Sequence, residues 1–129
     1  MSLNNGDPVK DSVLETFTKA ANKHDFSLDI TLNMKGALIT GTLISAQEYF
    51  QSLSEKFVNG NDISEQISEM FNHASQNIQE SENLNYIHLK NTRIYCGDNK
   101  PTPSNSEFLW RGRLDQTDGF FIGKIAEEK

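Results

Sequence analysis

The sequence predicts an α+β fold: an N-terminal helix, a five-stranded antiparallel barrel-like sheet, and an αα-hairpin inserted between the second and third strands. Three observations carry this. Residues 26–34 alternate apolar and polar side chains, with Phe26, Leu28, Ile30, Leu32 and Met34 against Ser27, Asp29, Thr31 and Asn33. That period of two is the signature of a strand with one oily and one wet face. Residues 46–80 then change to helical spacing, and 86–125 return to short strands rich in aromatic residues.

The elements follow in order. Asp7-Pro8 has the form of an N-cap with proline at the first helical position, and Val9, Val13, Leu14, Phe17, Ala20 and Ala21 recur at helical spacing, which predicts a helix over 8–23. A hairpin fills 26–45. Lys35-Gly36 makes its turn, and Gly41 inside the returning strand marks a bulge, a bend or a close backbone approach. Ser45-Ala-Gln-Glu48 is a capping box that opens a helix with Tyr49, Phe50, Leu53, Phe57 and Val58 on its apolar side. Asn59-Gly60 should stop it, with glycine in the left-handed conformation. Asp62-Ile-Ser-Glu65 restarts a helix in which Ile63, Ile67, Met70, Phe71, Ala74 and Ile78 share a side. Strands are expected at 86–96, 107–114 and 119–125, with a polar, proline-containing loop over 97–106. Leu28, Ile30, Leu32, Leu43, Ile87, Leu89, Trp110 and Ile125 are the predicted core.

The 129 residues suit one domain with its own core, and no hydrophobic run is long enough to span a bilayer. A single cysteine, Cys96, rules out an internal disulfide and fits a reducing, cytoplasmic setting, and the polar N-terminus has no apolar leader. The net charge of −6 is uneven: residues 46–83 hold seven acids against one base, Lys56, while 84–126 are slightly basic. This split favours contact between copies over binding of a polyanion.

Chemistry-bearing motifs are sparse. His24, His73, His88 and Cys96 are the soft metal-ligand candidates, but none forms a close ligand pair, so no metal or cofactor is expected. His88 reads as a surface residue beside Lys90, and Cys96 as half-buried packing. No serine sits in a nucleophile elbow, no glycine loop cradles phosphate, and the carboxylates fall on helices where solvation explains them; the chain reads as a non-enzyme with no catalytic residue. Arg111-Gly112-Arg113 beside Phe108 and Trp110 is the best nucleic-acid-like patch. Core packing explains its aromatics better, and the acidic segment opposes phosphate, so RNA is not expected as a partner. Tyr49, Phe50, Phe57, Met70 and Phe71 are large and numerous enough to predict an interaction surface, joined by Arg111 and Arg113. Together with edge strands at 107–114 and 119–125, they predict a salt-resistant homo-oligomer.

Two resemblances complete the reading. Gly36, Gly41 and Leu43-Ile44 resemble the first motif of Sm-like barrels, a class of SH3-like barrel; Asn85 with residues 86–91 resembles its continuation, and Trp110-Arg111-Gly112 resembles the core of the second motif. A helix before the barrel fits as well. The departures are the αα-hairpin between Phe50 and Asn85, where such proteins have a short RNA-contacting loop, and Gln47 or Glu48 where an aspartate is usual; an Sm-like RNA-binding module is the alternative function that this resemblance implies. In sequence, residues 21–50, 86–104 and 108–125 resemble the gas vesicle accessory protein U family. That resemblance implies a cytoplasmic, non-enzymatic protein, associated with gas vesicles, whose partners are its own copies, the vesicle shell or other gas vesicle proteins, and which influences vesicle assembly or clustering.

Overall fold

The computed structural model describes residues 11–78, 85–97, 100–102 and 106–125. Helix α1 spans Ser12–His24. It starts later than the spacing suggested because Asp11 is the cap: its backbone is extended, and its carboxylate accepts from the amides of Val13 and Leu14 at 2.9 and 3.1 Å. Asp7 and Pro8 lie outside the described residues. Asp25 closes the helix in the left-handed region, φ 55°.

Strands β1 (Leu28–Met34) and β2 (Ala37–Ile44) form the expected hairpin, paired from Leu28↔Leu43 to Met34↔Ala37. Lys35 and Gly36 both have positive φ, 56° and 88°, which matches the twist of a two-residue hairpin turn. Helices α2 (Ala46–Glu55) and α3 (Asp62–Gln76) follow, then β3 (Tyr86–Tyr95), β4 (Phe108–Arg113) and β5 (Gly119–Ile122), with a 3₁₀ turn at Leu114–Gln116 before β5. Neighbouring strands are all antiparallel, in the order β4-β3-β2-β1-β5. The expected barrel is therefore an open sheet in its pairing: β4 and β5 occupy opposite edges, and no ladder joins them among the described residues.

Gly41 does what a glycine in a strand implies. The β2–β3 register shifts between Thr40 and Thr42, and a Cβ on Gly41 would sit 2.9 Å from both the Lys90 carbonyl and Thr92 Oγ1. The extra residue on the opposite strand is absorbed at Asn91, φ 53°, where the β3–β4 register shifts too. One bulge thus shifts the register across three strands.

The sheet has two unlike faces. On one, Ile30, Leu32, Ile39, Leu43, Ile87 and Leu89 are buried together with Leu14 and Ala21 of α1. Leu28, Phe17, Phe120 and Trp110 border this core half-buried. The Trp110 indole lies over Gly112, where a Cβ would collide with it. Ile125 is half-buried but not part of this cluster.

On the other face, Thr31 and Thr40 are buried with their hydroxyls 2.9 Å apart. Thr31 Oγ1 reaches the Gly123 carbonyl at 2.8 Å, and the Ile125 amide donates to Thr40 Oγ1 at 2.9 Å. A carbonyl only accepts, so Thr31 donates to Gly123 and Thr40 donates to Thr31. This relay turns the chain after β5 across the sheet, and the predicted strand over 119–125 ends at Ile122.

Candidate interaction surface

The inserted hairpin builds a second, aromatic layer on the polar face of the sheet. Ser45 caps α2 by accepting from the Glu48 amide at 3.0 Å, and the Ala46 amide donates to Asn22 Oδ1 at 2.9 Å, which ties the start of α2 to α1. Helix α2 stops at Glu55 rather than 58, and Asn59, φ 71°, takes the left-handed conformation expected of Gly60. Gly60 is needed for space: a Cβ there would lie 2.5 Å from Ser64 Cβ. Asn61 caps α3 through the Ser64 amide at 2.9 Å, and Ser68 Oγ donates to the Ser54 carbonyl at 2.8 Å, locking α3 to α2. The predicted helix over 62–80 ends at Gln76; residues 79 and 80 lie outside the described residues.

His88 is the centre of this layer. It was expected at the surface, yet it is 2% exposed, because Tyr49 and Phe50 of α2 cover its ring, with centroids at 4.6 and 6.0 Å. Arg111, its cross-strand partner on β4, donates from Nε to His88 Nε2 at 3.2 Å. The acceptor nitrogen must be unprotonated, so the imidazole is neutral with its proton on Nδ1. Burial, and secondly the Arg111 charge, push the His88 pKa down to about 3. Burial also pushes the Tyr49 hydroxyl up, partly opposed by Arg111.

The Arg111 guanidinium lies over the Tyr86 ring at 3.7 Å and within 5.6 Å of Phe50. Phe50 stacks on Phe71 at 6.2 Å, and Phe71 meets Phe57 at 5.7 Å. At the flank, Lys90 pairs with Glu48 at 2.9 Å.

Of the residues expected to form a surface, Tyr49, Phe50, Phe57 and Phe71 are therefore brought together, half-buried against one another, and Arg111, itself exposed, lies over Phe50. Met70 points outward, 58% exposed. Arg113 stands apart and pairs with Asp115 at 2.8 Å. His88 and Tyr86 are the members that sequence reasoning missed. The available signal was alternation: with Ile87 and Leu89 on the aliphatic face, His88 must face the inserted hairpin. Cys96 is exposed rather than half-buried, since it lies one residue beyond β3.

Among the described residues no group of three or more His, Cys, Asp or Glu side chains is placed to hold a metal, and no helix is long and apolar enough to cross a membrane.

The family described as gas vesicle protein GvpU-like matches residues 11–125, a span that takes in α1, the sheet and the inserted hairpin. The chain belongs to this family. No curated protein and no solved structure matches it. The chain is thus a gas vesicle-related protein, and its aromatic layer lies within the matched span.

Proposed function

We propose that this chain is a non-enzymatic, cytoplasmic gas vesicle accessory protein that associates with its own copies and thereby influences vesicle assembly or clustering. The observation that carries this reading is the pair of sheet edges. Among the described residues β4 pairs only with β3, and β5 only with β1, so each leaves one row of backbone groups for another chain. Phe121 and Ile122 on β5 are 48% and 55% exposed, which adds apolar area at that edge. A barrel of the Sm-like type, open between β4 and β5, is the architecture we infer, and the bulge at Gly41 and Asn91 supports the curvature it needs.

Charge attraction between copies is the weaker route, because Lys90, Arg93 and Arg113 already face carboxylates within the chain. RNA binding, the function of many Sm-like proteins, is disfavoured by the commitment of Arg111 to His88 and Tyr86.

Sedimentation velocity at low and physiological salt tests the proposal. The expected result is at least a dimer at both, with further association at low salt, where screening extends beyond about 8 Å. Ile122→Lys should shift the protein towards monomer. A wild-type monomer at both salts, at roughly tens of micromolar protein, would rule out clustering by self-association.

A further inference from the structure

Among the described residues the outer side of α3 has no partner in the fold. Helix α3 packs against α2, with Ser68 bonded to the Ser54 carbonyl and Phe71 stacked on Phe50. Beside that contact, Ile63 and Met70 stand 64% and 58% exposed, with Ile67 half-buried between them. Val58, 52% exposed, belongs to the turn leading into the same helix.

Ile63 and Met70 are seven residues apart, two helical turns, so they lie in one row. Asp62 and Glu69 repeat the same spacing one position earlier and form an acidic row beside it. Neither they nor Glu65 nor Glu55 makes an ion pair among the described residues, in contrast to Glu48. An apolar row edged by an acidic row, each spanning two helical turns, offers a partner both apolar contact and charge.

We infer that α3 docks an amphipathic helix of another protein, one with an apolar seam and a basic flank. Ile63, Ile67 and Met70, spaced four and three residues apart along two turns, match the anchor spacing by which one helix packs along another. The unpaired acids select lysine or arginine beside its seam. A second copy fits poorly: symmetric α3–α3 contact would set the same acids against each other. The other helix with a covered apolar row, α1, spends Leu14, Thr18 and Ala21 on its own sheet. This inference stands independently of self-association through the sheet edges.

Methionine-methyl NMR on the full chain tests it, because the sequence has only Met1, Met34 and Met70. Met70→Leu assigns the reporter resonance by removing it. The probe is a synthetic leucine–lysine amphipathic helix of about 18 residues, or five turns. Its comparators are the same composition scrambled to destroy the apolar side, and a version with glutamate for lysine.

The Met70 signal should move saturably with the basic amphipathic peptide while Met34 stays in place, and neither comparator should reproduce this. Ile63→Asp should weaken binding about tenfold or more, as expected for an apolar anchor at a helix groove, with unchanged circular dichroism. Asp62→Asn combined with Glu69→Gln should weaken binding and flatten its salt dependence. Ile122→Lys should leave the peptide response intact. A silent Met70 signal, an equal response to the scrambled peptide, or binding that survives Ile63→Asp would overturn the inference. So would movement of the Met70 signal with protein concentration alone, which would assign the surface to a second copy.

Discussion

The two faces of the sheet are held by different physics. The face beneath α1 is a continuous aliphatic core in which Ile30, Leu32, Leu43, Ile87 and Leu89 are fully buried. Its stabilisation scales with apolar area and depends on shape rather than on partner identity. The face beneath the hairpin is a polar and aromatic layer centred on His88 and Arg111, where each group relies on a named neighbour. The first face makes the sheet stable; the second determines where the hairpin sits, and so where α3 points. Damage to the first should unfold the protein, whereas damage to the second should release the hairpin from a sheet that persists.

The largest expected effect tests the first half of that contrast. Leu32→Ala should cost about 2–5 kcal/mol, the range for emptying a buried leucine site. Chemical denaturation should show it as one cooperative transition at lower denaturant. A loss well under 1 kcal/mol would mean that the aliphatic face is loosely packed.

Acid should act through the second face. The His88 pKa is lowered from 6.5 to about 3 in the folded chain, so below pH 6.5 the unfolded chain takes up a proton that the folded chain refuses. Stability is then fully present above about pH 6.5 and falls as the pH drops towards 3. The loss from this one group should reach about 2 kcal/mol by about pH 5, at about 1.4 kcal/mol per pH unit. His88→Gln keeps an acceptor for Arg111 and does not titrate. If its stability falls just as steeply between pH 6.5 and 5, the imidazole is not the acid-sensitive group.

Arg111→Ala should cost about 1–2 kcal/mol, through the unpaired acceptor on buried His88 and the lost ring contact with Tyr86. Amide exchange sharpens the comparison: protection should fall in α2 and α3 well before β1 and β2. Equal loss everywhere would show that the hairpin and the sheet unfold as one unit. The smallest effect belongs to the rim of the layer. Lys90→Met should change stability by only a few tenths of a kcal/mol, because the Lys90–Glu48 pair is partly solvated. Thermal melts at low and high salt would check it.

The asymmetry between the faces also separates what was legible in the sequence. Strict alternation over 28–34, the Lys35-Gly36 turn, the Ser45 cap and the glycine bulge were all readable, because each is a local rule acting within a few residues. The aliphatic core followed, since a period of two assigns a whole strand to one side. Trp110 and Gly112 needed the fold, because their fit is an indole over a missing Cβ. The cap of α1 at Asp11 was not singled out, although Asp11 is the same kind of local signal, a carboxylate accepting from the amides of Val13 and Leu14.

His88 shows most plainly what only tertiary structure decided. Its neighbours in sequence place it opposite the aliphatic face, and an exposed strand histidine is the ordinary outcome there. It is buried because Tyr49 and Phe50 of α2, far earlier in the chain, fold back over it, and because the β3–β4 register delivers Arg111 to its acceptor nitrogen. Non-local pairing likewise left β4 and β5 at opposite edges, a matter of strand order that no single segment encodes. The sequence by itself determined the elements and the aliphatic face, through periodicity and local capping. The polar layer, the open edges and the outward row on α3 were decided by which distant segments meet, since a polar side chain takes its role from the partner that the fold supplies.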